Sequence, residues 1–153
     1  MIFSRTSQYA IQALIYLATQ PNGRPVLNRE IARRVGVPAA YLAKILQTLC
    51  RQQMLDSSRG RHGGFCLRAG AQQTNLLDII LLTEGSHVDR DCLLGLKTCS
   101  DETACPMHLK WKPVKQEILS YLGRVTLTHL AKAVRSGQYR LSDLPSALLL
   151  PWS

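Results

Sequence analysis

Aromatic side chains are scarce in this chain, 6% of 153 residues, and no two are spaced to form a base-stacking platform. Recognition of single strands or RNA by stacking is therefore disfavoured. Acidic residues are few as well: 10 Asp and Glu stand against 19 Lys and Arg, a formal net charge of +9. That imbalance points to an anionic partner, nucleic acid first and an anionic membrane surface second. Long apolar runs are missing too. The one around 76–82 is interrupted by Asp78 and is far too short to cross a bilayer. The opening MIFSRTSQYA has none of the apolar h-region of a secretory signal. These features predict a cytoplasmic protein with no membrane partner, whose thiols stay reduced. No internal repeat is visible.

What is present suffices for a folded core. Hydrophobic residues make up 46%, and the length suits one principal domain with an appended element. Ala10, Ala13, Leu14, Leu17 and Ala18 recur at helical spacing, and Ile11 and Ile15 add a second apolar facet, so the first helix is expected to be covered on two sides. PNGRP breaks the pattern. Asn28 is a candidate cap for a short helix over 29–35, with Gly36 as its stop.

Pro38 then fits the first turn of a second helix running to Gln52, with Leu42, Ile45, Leu46 and Leu49 as its inner stripe. Two helices joined by a short Gly-containing turn, the second with small and polar residues near its start, read as a helix-turn-helix or as a generic helical hairpin. The following LDSSRGRHGGFCLR has two strand-like pieces around a basic, Gly-rich turn. Placed directly after the second helix, this hairpin makes a winged helix. Arg59, Gly60, Arg61 and His62 would form the wing tip, where cations meet phosphate or enter a narrow minor groove. Gly60, Gly63 and Gly64 fit a turn that needs positive φ.

From Thr74 the pattern is helical again. Asn75 with Asp78 resembles a capping pair, Leu76, Leu77, Ile79, Ile80 and Leu82 supply core, and Gly85 ends the helix. A long helix is predicted over 107–122. Its apolar residues Leu109, Trp111, Val114, Ile118, Leu119, Tyr121 and Leu122 spread over more than one face, for which dimerisation is the economical explanation. A short helix follows from Thr126. In the tail from Ser136, the ALLL segment could dock on the body or on a partner. The expected organisation is a DNA-binding unit over 1–85, a loop over 86–106, a long and a short helix over 107–135, and a tail over 136–153.

The loop carries the chemistry. DCLLGLKTCSDETACPMH holds Cys92, Cys99 and Cys105 in a Cys-x6-Cys-x5-Cys pattern, then His108. A disulfide framework conflicts with a reducing compartment and an odd, loop-confined set. Zinc accepts three thiolates and an imidazole, but structural zinc sites usually use tight two-residue spacings, absent here. Thiolates are the ligands iron–sulfur units require, and loops of five or six residues can wrap a multi-atom cluster. Cys50 and Cys66 fall outside this group and read as buried, inert thiols, while His62, His87 and His129 have no ligand-like company.

SRTSQYAIQALIYLA, IARRVGVPAAYLAKILQTL, RGRHGGFCL and CLLGLKTCSDETACPMHLKWKPVKQEIL, in that order over 1–134, resemble the Rrf2 family of bacterial transcription regulators. The resemblance implies a mainly α fold with a winged helix-turn-helix, a β-hairpin wing and a long dimerisation helix. It implies a homodimer that binds a pseudo-palindromic duplex DNA operator as a regulator, often a repressor, and not an enzyme. Pro38, Ala39, Ala40, Tyr41, Ala43, Lys44 and Gln47 would approach the DNA, with Arg59, Gly60, Arg61 and His62 from the wing. A cluster-bearing member carries glutamate where this chain has Ala43 and glutamine where it has Lys44, so its operator cannot be copied.

For the loop, the resemblance implies an iron–sulfur cluster on Cys92, Cys99, Cys105 and His108, [2Fe–2S] in type. The alternative is a [4Fe–4S] cluster, which other members complete with a carboxylate from the partner chain. This chain has Gln8 at that position, a poorer ligand. The signal would be cluster supply, redox state or nitric oxide. Two rivals remain: a clusterless regulator responding through cysteine oxidation or a metabolite, and a cluster-bearing electron-transfer protein.

Overall fold

A computed structural model describes residues 3–141 of the chain apart from 87, 89 and 98. The ALLL segment and His87 lie outside the described residues. Among those described, six α-helices and one antiparallel hairpin form the fold: α1 (Arg5–Thr19), α2 (Asn28–Val35), α3 (Ala39–Arg51), β1 (Leu55–Ser58), β2 (Gly64–Leu67), α4 (Leu76–Glu84), α5 (His108–Arg124) and α6 (Leu127–Arg135). The expected mainly α architecture with a small wing is what is found.

Ser4 caps α1 by accepting from the Ser7 amide, and Ala10, Ala13, Leu14, Ile15, Tyr16 and Leu17 are buried along it. α2 and α6 pack on α1, as do α3 and α4, which explains its apolar character on two sides. Leu14, Ile31, Leu42, Leu46, Leu49, Ile79, Ile80 and Leu127 are the largest apolar side chains fully withdrawn from solvent. Each such burial is worth about 1.5–3 kcal/mol, so these few residues supply much of the drive to fold.

The helix-turn-helix is built from α2 and α3. Gly36 takes the left-handed conformation at φ 79° and its amide bonds Ala32 O, ending α2 as the sequence predicts. Asn28, however, does not cap α2. Leu27 holds the cap position, and Asn28 is the first helical residue, with Nδ2 donating 2.9 Å to the Ala39 carbonyl. A polar side chain at the start of one helix thus ties it to the start of the next. Pro38 likewise sits one place earlier than predicted, as the residue preceding α3.

The wing pairs Leu55 with Leu67 and Ser58 with Gly64. Its second strand is also bridged to Val26, whose amide and carbonyl exchange 2.9 Å bonds with Phe65. This close approach explains the adjacent glycines. A Cβ on Gly64 would lie 2.2 Å from Val26 O, and one on Gly63 would lie 2.3 Å from Ser58 O. Only Gly60 (φ 101°) and Gly64 (φ 142°) also need positive φ, so backbone proximity is what Gly63 supplies.

Asn75 caps α4 by accepting from the Asp78 amide. Leu76 N to Val125 O and Leu127 N to Thr74 O then pin the starts of α4 and α6 together. α5 begins and ends slightly later than predicted, at 108 and 124 instead of 107 and 122, and contains Pro113. Of its residues only His108 is buried; Leu109 is 84% exposed and Tyr121 61% exposed. No helix among the described residues is long and apolar enough to cross a membrane.

Candidate DNA-binding surface and cysteine–histidine loop

α3 presents Ala40, Tyr41, Lys44 and Gln47 to solvent, with Pro38 exposed just before it and Ala43 half-buried beside them. Ala39 is different: it packs against the core while its carbonyl receives Asn28. Arg59, Gly60, Arg61 and His62 are all exposed at the wing. Lys44 on α3 and the two arginines of the wing thus expose positive charge, with Asp56 on β1 the acidic residue of the hairpin.

Sequence reasoning missed what supports this face. Thr6 Oγ1 and Tyr41 OH share a 2.9 Å hydrogen bond, and the Tyr41 ring meets Tyr9 edge-on with centroids 6.0 Å apart. The start of α1 therefore braces the start of α3. That start is itself held by Glu84, the last residue of α4. Its Oε1 accepts from the Ser4 amide at 2.7 Å and from Ser7 Oγ at 2.5 Å, and Ser7 Oγ also lies 2.6 Å from Thr83 Oγ1. Ser7 is fully buried, so its hydroxyl needs these partners. A carboxylate at a helix N-terminus also meets the favourable end of the helix dipole.

The cysteine loop is shaped by its own backbone and by α5. A turn from Cys92 O to Gly95 N opens it, and Cys99 N donates to Arg90 O, drawing the two limbs together. His108 N donates to Cys105 O as α5 begins. Two lysines of α5 hold the loop: Lys115 Nζ reaches Asp91 O at 3.2 Å, and Lys112 Nζ reaches both carboxylate oxygens of Asp101, at 2.8 and 2.7 Å.

These constraints bring the four candidate ligands together in two pairs. Cys92 Sγ lies 3.7 Å from Cys105 Sγ. Cys99 Sγ lies 3.3 Å from His108 Nδ1, and the other ring nitrogen, Nε2, lies 2.8 Å from Asp101 Oδ1. Among the described residues no three of His, Cys, Asp or Glu converge on a single metal-ion position. Backbone amides of Leu94 and Leu96 chiefly, helped by Cys105 and Lys115, hold the Cys92 thiol below its ordinary pKa. The bond from Lys112 first, then that from His108, holds the Asp101 carboxyl below the usual range.

Two cavities flank this segment. One, about 280 Å³, is lined by Phe3, Glu84, Cys92, Trp111 and Lys115 among others, so it joins the loop to the Glu84 cluster. The other, about 260 Å³, is lined by Cys99, Asp101, His108 and Lys112. Trp111 Nε1 is buried with no hydrogen-bond partner among the described residues. All five cysteines are free thiols. Cys50 and Cys66 are half-buried, and burial raises both thiols. Gln8 bonds within its own helix turn, to Phe3 O and Arg5.

A family described as "Iron-dependent Transcriptional regulator", Rrf2, matches residues 3–133. The chain belongs to the Rrf2 family. Among curated relatives, the HTH-type transcriptional regulator IscR of Xenorhabdus nematophila is 27% identical over 86% of this chain and 80% of its own. The solved structure of T. potens IscR matches with a TM-score of 0.70 and 28% identity, covering 89% of this chain and 90% of that one. The oxidized form of Staphylococcus aureus CymR matches with a TM-score of 0.67 and 26% identity, covering 86% and 97%. This Rrf2 protein is accordingly a winged-helix, DNA-binding transcription regulator, and its relatives are regulators, not enzymes.

Proposed function

We propose that this Rrf2 regulator is a homodimer whose operator affinity is set by an iron–sulfur cluster, [2Fe–2S] in type, on Cys92, Cys99, Cys105 and His108. The observation that carries the reading is the pairing of the four ligand atoms. Two thiolates sharing a tetrahedral metal about 2.3 Å away sit about 3.8 Å apart, and a thiolate with an imidazole nitrogen sits slightly closer. The separations of 3.7 and 3.3 Å match one pair of each kind. The buried, unpartnered N–H of Trp111, on the cavity that Cys92 also lines, adds a donor fit for a sulfur acceptor. Gln8, engaged within its own helix, argues against the [4Fe–4S] arrangement completed from a partner chain. When bound, such a cluster supplies a redox centre with one neutral, more readily lost ligand bond.

The chain's own residues carry the signal onward. A shift of segment 91–108 against α5 reaches the cavity shared by Cys92 and Glu84. Glu84 holds the α1 start through Ser4 and Ser7, and Thr6 passes the displacement to Tyr41 on the recognition helix. The exposed apolar residues of α5 are the surface on which a second copy packs, so each displacement also alters the spacing of two recognition helices. The operator is then a pseudo-palindrome with half-sites one or more helical turns apart. Anaerobic purification with a visible spectrum and iron and sulfide counts tests the cluster. Protein that stays colourless and iron-free after reconstitution would sink it.

One observation favours a second reading. The Cys92 and Cys105 sulfurs are near enough that a two-electron oxidant such as a peroxide, with a modest shift, would join them as a disulfide, and the matching CymR structure is of an oxidized form. In that reading thiol oxidation, without a cluster, reorders the same loop.

A further inference from the structure

We propose that Asp101, itself held by Lys112, is a positioning residue that leaves Nδ1 of His108 as the iron-binding nitrogen. The proposal deepens the cluster reading and rests on it.

His108 is 2% exposed, so both ring nitrogens need partners. Nε2 lies 2.8 Å from Asp101 Oδ1. The Lys112 ammonium donates to both oxygens of that carboxylate, which orients it and leaves it an acceptor toward the ring. Nε2 therefore carries the proton. A neutral imidazole then has its one free lone pair on Nδ1, the nitrogen facing Cys99 Sγ at 3.3 Å. Metal binding through Nε2 would require the ring to abandon Asp101 and turn over inside a buried site. The arrangement is the one by which an outer carboxylate fixes the tautomer and ring orientation of a metal-binding histidine.

The placement of the two supporting residues has a structural logic. Asp101 stands two residues after Cys99, and Lys112 one helical turn after His108, so each comes from a ligand-bearing segment. The clamp closes only when the loop lies on α5. The Asp101 side chain is 70% exposed, where an ion pair with Lys112 alone would add little stability. Its consequence is the ring orientation.

Two experiments decide this. Histidine labelled with ¹⁵N at either Nδ1 or Nε2 is incorporated, and pulsed EPR is recorded on the reduced cluster. Strong coupling from the Nδ1 label is expected. Strong coupling from the Nε2 label overturns the assignment while leaving the cluster intact; protein that takes up no iron overturns the cluster reading and the assignment together. In the cluster-free chain, ¹⁵N NMR should show the proton of His108 on Nε2, and Asp101→Ala should abolish its slow exchange. The same variant, once reconstituted, should lose its cluster roughly tenfold faster or more. An unchanged cluster lifetime in a variant with wild-type helical content overturns the positioning role.

Discussion

The hydroxyls of Thr6 and Tyr41 lie 2.9 Å apart, joining the first turn of α1 to the exposed start of α3 across 35 residues of sequence. The bond, with the edge-on Tyr9 ring, fixes Tyr41 against α1 instead of leaving it to swing in solvent. Tyr41→Phe removes the hydroxyl and keeps the ring. It should cost about 0.5–1.5 kcal/mol in chemical denaturation and weaken operator binding at constant salt. Thr6→Val should do the same, and the double variant should cost little more than either single one. Additive losses in that cycle would show that the two hydroxyls act separately.

Glu84 makes a different demand, because it faces both the α1 start and the cavity beside Cys92. Glu84→Gln keeps an oxygen to accept from Ser4 and Ser7 but removes the charge. Charge-assisted bonds fall to ordinary ones, a loss of about 1 kcal/mol in stability. More telling is the ratio of operator affinities of the cluster-bearing and cluster-free proteins, which should move toward unity. A ratio equal to that of the wild type would remove Glu84 from the coupling.

These supports explain what the sequence could and could not disclose. Helix stops and caps are local, so Gly36 and Asn75 are legible from neighbours within four residues, and the α2–α3 turn and the hairpin follow from spacing alone. Ser7 is not legible: a serine in an apolar helix looks solvent-facing until Thr83 and Glu84, distant in sequence, supply its partners. Asn28 has the right chemistry for a cap but a better partner in Ala39 O, which exists only once α3 is in place. The four ligand candidates are visible as a pattern of soft and borderline donors. Asp101 is not, since a carboxylate in the polar run SDET reads as a solvated loop residue until α5 brings Lys112 beneath it.

Lys44, Arg59 and Arg61 are exposed, and a cation that meets a DNA phosphate releases condensed counterions. Plotting log affinity against log salt for an operator duplex should give a steep negative slope. Lys44→Ala or Arg61→Ala should each make it shallower by about 0.9 if the residue contacts one phosphate. If Lys44 instead reads a guanine, its loss should relax sequence preference at one position by about 1–3 kcal/mol. A flat salt response in the wild type would count against duplex DNA as the ligand.

Tyr121, 61% exposed on α5, tests the proposed dimer at a site outside the loop and the wing. Tyr121→Glu should leave the monomer folded, because nothing in one chain depends on burying that ring. It should shift the molecular mass by light scattering toward one chain and lower operator affinity by well over tenfold. A variant that remains dimeric would place the contact surface elsewhere than on this face of α5.

The five cysteines should separate by reactivity in the cluster-free, reduced protein. Backbone amides of Leu94 and Leu96 stabilise the Cys92 thiolate, so its pKa lies below the ordinary thiol value, whereas burial raises those of Cys50 and Cys66. The thiolate is the nucleophile, and below the pKa its fraction grows as the pKa falls, faster than intrinsic nucleophilicity declines. Peptide-resolved alkylation at neutral pH should therefore mark Cys92 well before Cys50 or Cys66. As pH rises, the Cys92 rate should level off first, and the other two should still be climbing through the ordinary thiol range. Cluster loading should protect Cys92 and leave Cys50 and Cys66 unchanged. Mild oxidation of the cluster-free protein should join Cys92 to Cys105, whose sulfurs are 3.7 Å apart, and a reducible mass loss confined to their two peptides would report it. If operator affinity responds to that disulfide but not to cluster loading, thiol oxidation is the signal and the cluster reading falls.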